Sequence, residues 1–113
     1  MAERITKQQY EAMVADQMTE AALQQQVMAL AFDLGWLAYH THDSRRSNPG
    51  WPDLALCHPK RGRFMVRELK KSNGRVTPKQ LEWLHALEAA GIDAGVWRPT
   101  QLLDGTVLTE LTA

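Results

Sequence analysis

Three residues near the middle of the chain have the types and spacing for hydrolytic chemistry on a phosphate. Asp53 begins a predicted strand, Glu68 lies in the next one, and Lys70 follows Glu68 by two residues. A tight turn at residues 59–62 would close these strands into an antiparallel hairpin with Asp53 opposite Glu68, their Cβ atoms about 5 Å apart. Because side chains alternate along a strand, Lys70 points to the same face as Glu68.

Two carboxylates that face each other repel, and a divalent cation between them turns that repulsion into affinity. Mg²⁺ takes oxygen ligands, commonly one or two carboxylates with water and phosphate oxygens. It lowers the pKa of bound water, and a nearby ammonium can orient the attacking water. The three residues therefore have the parts for metal-assisted phosphodiester hydrolysis. The alternative from spacing alone is that Asp53 ends a turn and that Glu68 and Lys70 are solvated edge residues.

Two helices and four strands are predicted to position these residues. One helix starts after the N-cap Thr19 and stops at Gly35, and another starts with Thr77 and Pro78 and stops at Gly91. The order α-β-β-β-α-β indicates an α/β fold with a mixed central sheet flanked by helices. Strands are predicted at residues 36–41, 53–58, 63–70 and 94–97, a short helix or arm at 6–16, and an ambiguous tail from residue 100.

The composition is that of one small domain. The chain has 113 residues, 44% of them hydrophobic, and a single Cys, which excludes an internal disulfide. We interpret residues 1–18 as an N-terminal helix or arm and residues 19–113 as a single domain. No apolar run has the length of a membrane span, and the first residues lack the apolar core of a signal peptide. We therefore expect a cytoplasmic protein with no membrane partner and no small-molecule cofactor.

Charge is distributed unevenly along the chain although the net charge is zero. Residues 43–79 contain ten basic and three acidic residues, a formal charge of +7, and the rest of the chain carries −7. This segment includes Asp53, Glu68 and Lys70, so we expect its bases to surround them and to bind a polyanion. The alternative is ordinary solvated surface.

The sequence around these residues resembles a known nuclease signature. Residues 50–53, Gly-Trp-Pro-Asp, followed after fourteen residues by Glu-Leu-Lys at 68–70, are similar to the PD-(D/E)XK pattern. The stretch 20–99 resembles the VRR-NUC domain, the virus-type replication and repair nuclease module, in its stand-alone phage or bacterial form. The matching features are a glutamate that opens the first main helix, a segment ending in Gly-aromatic-Pro-Asp, the Glu-Leu-Lys strand, and Thr-Pro-x-Gln at the start of the next helix.

The resemblance implies a PD-(D/E)XK nuclease-like fold and a role for each residue that matches the motif. Asp53, Glu68 and the backbone carbonyl of Leu69 would bind a catalytic Mg²⁺ or Mn²⁺. Lys70 would be the catalytic lysine, and hydrolysis would leave a 5′-phosphate.

The resemblance also assigns Glu20 and Gln80 to the site. Glu20 would contact the metal or its water shell, and Gln80 would support the site. Each lies on the apolar stripe of its helix, an unusual place for a polar side chain. Each also has a local explanation, because an acid in the first turn is favoured by the helix dipole and Gln80 fits a capping box with Thr77.

Polar and basic residues on both sides of the site are candidates for DNA contacts. Arg and Ser donate to phosphate oxygens and position DNA without reading its sequence. For any single base, a solvated surface position is an equal alternative. The candidates are His40, Ser44, Arg45, Arg46, Ser47, Lys71, Arg75 and Lys79.

Two further sets of residues have more than one interpretation. His40 and His42 could bind zinc, since histidine is a common zinc ligand, but no Cys or third His lies near them in sequence. A DNA contact or a structural role is therefore favoured, and His40 is the better site candidate. Arg98 follows the last predicted strand and is a candidate for a contact with DNA or a partner subunit.

The resemblance implies a metal-dependent, structure-selective DNA endonuclease that acts as a homodimer. Two active sites related by a twofold axis would suit a four-way (Holliday) junction. One alternative is a monomeric nuclease that cuts flaps or single strands. The other is a non-catalytic DNA-binding accessory protein with structural carboxylates, and metal dependence separates it from the enzymes.

Overall fold

The computed structural model describes residues 2–42 and 48–113. Within that part of the chain, none of the helices has the length and apolar character needed to cross a membrane. A 3₁₀ turn at Pro59–Arg61 joins the two strands of the hairpin. The elements, in chain order, are α1 (Lys7–Gln17), α2 (Glu20–Asp33), β1 (Leu37–His40), β2 (Leu54–His58), β3 (Arg63–Leu69), α3 (Pro78–Ala89), β4 (Asp93–Trp97), α4 (Pro99–Leu103) and α5 (Thr106–Thr112).

Capping interactions fix the ends of the two helices that flank the site. The Thr19 hydroxyl accepts the N–H of Ala22 at 3.1 Å, and α2 ends before Gly35, whose φ is 89°. At the start of α3 the Thr77 hydroxyl accepts the N–H of Gln80 at 3.2 Å, and the Gln80 side chain accepts the N–H of Thr77 at 2.9 Å. This capping box matches the prediction from sequence.

The four strands form one mixed sheet in the order β1-β2-β3-β4. β1 pairs with β2 and β2 with β3 in antiparallel fashion, whereas β3 and β4 are parallel. The β2–β3 register runs from His58 opposite Arg63 to Leu54 opposite Arg67. One step further along this register, Asp53 lies opposite Glu68, as the turn length predicts.

The main hydrophobic core lies on the face of the sheet opposite to Glu68. Helices α2 and α5 cover this face, and α3 packs against β4. Because Glu68 alternates with the core residues Met65 and Leu69 of β3, its side chain points away from this core. The residues of the main core that are fully buried include Leu23, Val27, Ala31, Leu54, Leu56, Met65, Val107 and Leu111.

The predicted element order is confirmed, since α2-β1-β2-β3-α3-β4 is the order α-β-β-β-α-β. The ambiguous tail forms two short helices. Pro99, expected to end the last strand, is the first residue of α4, a position where its missing N–H leaves no helical hydrogen bond unmade. Residues 7–17 form a helix that packs against α4 with Ala15 fully buried, while the division of the chain at residue 18 stays a prediction.

Three arginines of the basic segment hold α5 and β4 rather than surrounding Glu68. Arg61 and Arg63 donate to backbone carbonyls at the end of α5, Arg63 to that of Glu110 at 2.9 Å. Arg67 is 3% exposed and contacts the carboxylates of Asp93 at 2.8 Å and Glu110 at 2.9 Å. The expectation that all bases of residues 43–79 surround the site is wrong here, because alternation along β3 turns Arg63 and Arg67 to the opposite face.

Candidate active site

A cavity of about 300 Å³ lies where the hairpin strands meet the first turns of α2 and α3. Five of the six residues assigned to metal binding or catalysis by the sequence have side chains on its wall. The residues that line the cavity are Glu20, Thr41, His42, Asn48, Gly50, Trp51, Asp53, Glu68, Lys70 and Gln80.

The two facing carboxylates are held by hydrogen bonds from neighbouring elements. Asp53 directly precedes β2, and its Oδ2 accepts the backbone N–H of Leu69 at 2.9 Å. Glu68 is 3% exposed, and its Oε1 accepts from the Gln80 side-chain amide at 3.0 Å. The Lys70 ammonium lies 3.7 Å from the same oxygen. The structure therefore brings Asp53, Glu68, Lys70 and Gln80 into one network.

The environment of Glu68 disfavours its negative charge. The pKa of Glu68 is raised to about 8, mainly by burial and also by the charge of Asp53 and a hydrogen bond with Asp53, while Lys70 opposes the rise. Its Oε2 is buried and accepts no hydrogen bond in the described part of the chain. Such an oxygen is costly to bury as an anion unless a positive group is close to it.

This donor set fits a hard divalent cation. Two carboxylates face each other, and among the described residues one buried oxygen of Glu68 has no hydrogen-bond donor. Within residues 2–42 and 48–113, no three His, Cys, Asp or Glu side chains are grouped to hold a metal. A cation here would therefore need further oxygen ligands such as a carbonyl, water or phosphate. The carbonyl of Leu69 stays a predicted ligand.

Glu20 and Gln80 reach the cavity from the first turns of their helices. The Gln80 side chain uses its oxygen for the capping box and its NH₂ group for Glu68, and its supporting role in the site stays a prediction. Glu20 is exposed to solvent, lines the cavity, and accepts the N–H of Lys71 at 3.4 Å. Its contact with a metal or its water shell stays a prediction.

The loop that carries Asp53 lies directly on the first turn of α3. Gly50 has a φ of 90°, and a Cβ on it would lie 2.4 Å from the backbone oxygen of Lys79. Trp51 packs edge-to-face on Trp83 of α3, with ring centroids 5.1 Å apart. Only glycine allows this close backbone approach, which fixes the position of Asp53 relative to α3.

None of the predicted DNA contacts within the described residues lines the cavity. Ser44, Arg45, Arg46 and Ser47 lie outside the described residues. Three of the other candidates are exposed and do not line the cavity. These three are Lys71, Arg75 and Lys79. The Lys79 ammonium is also paired with the Glu82 carboxylate at 3.2 Å.

The structure adds residues to the site that the sequence did not indicate. His42, rather than His40, lines the cavity, and the two rings lie 4.1 Å apart. Thr41 also lines it, and its N–H donates to the backbone oxygen of Asp53 at 3.0 Å. Asn48 completes this side of the wall. The alternation of His40 with His42 was the only available signal, and it could not tell which ring is nearer to Asp53.

A family model described as the VRR-NUC domain matches residues 2–101. The chain belongs to the VRR-NUC family. This confirms the resemblance stated from the sequence, and the observed mixed sheet is consistent with the PD-(D/E)XK superfamily. Membership of this family supports a nuclease.

Two individual proteins are similar to this VRR-NUC chain. A solved structure described as a VRR_NUC domain superposes with a TM-score of 0.66, covers 79% of this chain and 94% of that chain, and is 24% identical in sequence, which shows a shared fold. A Fanconi-associated nuclease 1 homolog from Schizosaccharomyces pombe is 36% identical over 56 residues, 50% of this chain. The VRR-NUC chain spans 8% of the length of that curated relative.

Proposed function

We propose that this VRR-NUC protein is a metal-dependent, structure-selective endonuclease that hydrolyses phosphodiester bonds in branched DNA such as four-way junctions. The observation that supports this proposal most strongly is the buried Glu68. It faces Asp53 across the hairpin, its Oε2 has no hydrogen-bond donor in the part of the chain that the structure describes, and its Oε1 lies 3.7 Å from the Lys70 ammonium. A hairpin without a cation-dependent role gains nothing from this arrangement.

The proposed roles follow from the position of each group. Asp53, Glu68 and the Leu69 carbonyl would hold Mg²⁺ or Mn²⁺. When bound, the cation would supply a water of lowered pKa and stabilise charge on the phosphate. The Lys70 ammonium, within 3.7 Å of Glu68 Oε1, would orient the nucleophilic water. Gln80 would keep Glu68 in its rotamer through the hydrogen bond of 3.0 Å.

Glu20 and the basic residues would act on the substrate side. Glu20 lines the cavity from α2 and would interact with the water shell of the cation. We assign the polar and basic residues that the sequence predicts as DNA contacts to the phosphate backbone, where such contacts position DNA without sequence selection. This set is His40, Ser44, Arg45, Arg46, Ser47, Lys71, Arg75 and Lys79.

A cleavage assay tests the proposal. The parent is expected to cut labelled four-way-junction DNA with Mg²⁺ or Mn²⁺ and not with EDTA, and to cut continuous duplex more slowly. Asp53→Ala and Lys70→Ala are expected to lose this activity while still binding DNA, because the basic residues remain. Glu88→Gln, an exposed change at the end of α3, is the matched control.

Two outcomes would count against the enzyme. The first is no cutting with either metal, and the second is equal cutting by the parent and both alanine variants. DNA binding without metal-dependent cleavage would instead support the non-catalytic accessory protein. Cleavage confined to flaps or single strands would support the alternative monomeric nuclease.

We also propose that the protein works as a homodimer. β1 is an edge strand without charged residues, and Leu37 and Tyr39 on it are 68% and 63% exposed. Such an edge can pair with a second copy. Sedimentation is expected to show a dimer at micromolar concentration and a shift to monomer for Leu37→Asp. A parent that sediments only as a 12.8 kDa species would contradict this.

A further inference from the structure

The loop after Lys70 is held by one arginine on the neighbouring strand. Arg98 follows directly on β4, and its Nη1 lies 2.9 Å from the backbone oxygen of Lys71, 3.3 Å from that of Ser72 and 2.8 Å from that of Gly74. Three carbonyl oxygens of one short loop thus converge on one guanidinium nitrogen. Carbonyl dipoles aimed at a common point repel one another, so this loop conformation depends on the cation at its centre.

Arg98 lies at the point where the backbone hydrogen bonds between β3 and β4 end. The N–H of Lys70 donates to the backbone oxygen of Trp97 at 3.1 Å, which is the last hydrogen bond between the end of β3 and β4. Beyond it the chain leaves the sheet, and the Arg98 side chain supplies donors to the backbone there. The Arg98 guanidinium therefore binds the backbone that follows β3, just beyond the last hydrogen bond between β3 and β4.

The other side of the same loop faces the candidate active site. The N–H of Lys71 donates to Glu20 Oε1 at 3.4 Å, so the loop carbonyls point to Arg98 and this amide points to the cavity wall. A Cβ on Gly74 would lie 3.3 Å from Glu20 Oε1 and 3.4 Å from Lys70 Cδ. The loop is therefore in close contact with both Glu20 and Lys70.

We propose that Arg98 is a positioning residue that holds loop 71–74 against Glu20 and Lys70, and thereby keeps the Lys70 ammonium aligned with Glu68. Its catalytic consequence rests on the proposed nuclease function. This role differs from a contact with DNA or a partner, because Arg98 Nη1 already donates to the loop carbonyls.

Kinetics of three Arg98 variants test this role. Arg98→Ala and Arg98→Gln are expected to lower kcat by about 10- to 100-fold, the usual cost of a misplaced catalytic group, with KM for DNA within about twofold of the parent. Arg98→Lys keeps a cation with fewer donors and is expected to retain an intermediate kcat. Guanidinium ion at millimolar concentration is expected to restore part of the kcat of Arg98→Ala.

Arg61→Gln is the matched control for the loss of an arginine bound to carbonyls. Arg61 donates to the backbone oxygen of Leu111 at 2.8 Å, on α5 and away from the cavity. This variant is expected to unfold at a lower temperature with an unchanged kcat. If Arg98→Ala raised KM and left kcat unchanged, Arg98 would be a DNA contact and the proposal would be overturned.

Amide hydrogen exchange gives a readout that does not need cleavage. The Gly74 N–H donates to the Lys71 oxygen at 2.9 Å, and its exchange is expected to be at least about tenfold faster in Arg98→Ala, slowing again with guanidinium ion. Unchanged protection of Gly74 would overturn the inference whatever the activity. A parent that protects Gly74 in this Arg98-dependent way but cuts no DNA would instead refute the proposed function alone.

Discussion

Glu68→Gln is expected to remove DNA cleavage and, at the same time, to stabilise the protein above pH 8 in the absence of divalent cations. Gln has nearly the same shape as Glu, so packing and the contact with Gln80 Nε2 can be kept. It lacks the negative charge that would bind a cation and stabilise the reacting phosphate, a contribution of several kcal/mol that corresponds to at least about 10³-fold in rate.

The pH dependence of stability follows from the raised pKa of Glu68, about 8 in the folded protein against an ordinary value of 4.5. Below pH 4.5 both folded and unfolded states hold the proton, and the full contribution is present. Between these values the folded state binds more protons, so stability falls as pH rises, by up to about 1.4 kcal/mol per pH unit. Above pH 8 the contribution is lost.

Urea unfolding in EDTA at pH 5 and above pH 8 measures this effect. The parent is expected to lose stability over this range, and Glu68→Gln is expected to lose less and to be the more stable protein at the higher pH. Glu88→Gln serves as a surface control and should follow the parent. Mg²⁺ or Mn²⁺ should restore stability to the parent and to Glu88→Gln, but not to Glu68→Gln. An equal decline in all three proteins would show that Glu68 does not carry the shifted pKa.

Gly50→Ala is expected to cost about 3–5 kcal/mol of folding free energy, or to displace the loop that carries Asp53. The added methyl carbon would lie 2.4 Å from the Lys79 oxygen and 2.9 Å from the Gln80 nitrogen. These are backbone atoms that no rotamer change can move away, and the φ of 90° adds strain of its own. Either outcome separates Asp53 from Glu68, so cleavage should be lost as well.

Gly91→Ala separates the two causes of this loss. Gly91 has a φ of 87°, but nothing lies within 4 Å of its missing Cβ. This variant is expected to lose only about 1–2 kcal/mol, the cost of a left-handed conformation, and to keep its cleavage activity. Thermal or urea unfolding of both variants measures the difference. Equal losses would mean that the contact between Gly50 and α3 does not contribute.

The features that could be predicted from sequence are those set by residues near in the chain. The four-residue turn fixed the partner of every residue in the β2–β3 hairpin, including Glu68 opposite Asp53. Thr19 and Thr77 marked the helix starts because a cap needs only its own first turn. Because these local rules position the elements that carry the site residues, most of the site could be predicted from the sequence.

The features that could not be predicted depend on groups far apart in the chain. Backbone carbonyls are present at every residue, so no sequence pattern shows that Arg61 binds α5 or that Arg98 binds loop 71–74. The register of β1 is also set by tertiary pairing, because a long loop separates β1 from β2 and leaves their alignment open. For this reason only the structure shows that His42, rather than His40, lines the cavity.

The candidate site restricts which residue can occupy position 80, although the helix alone would accept either Glu or Gln there. At the third position of a helix, a capping box accepts Glu and Gln equally well. Here the same side chain also donates to Glu68 at 3.0 Å, which only the amide can do. Gln80→Glu would satisfy the helix yet place a third carboxylate against two that already repel. The identity of this residue is thus decided by its neighbour across the cavity, not by the helix it begins.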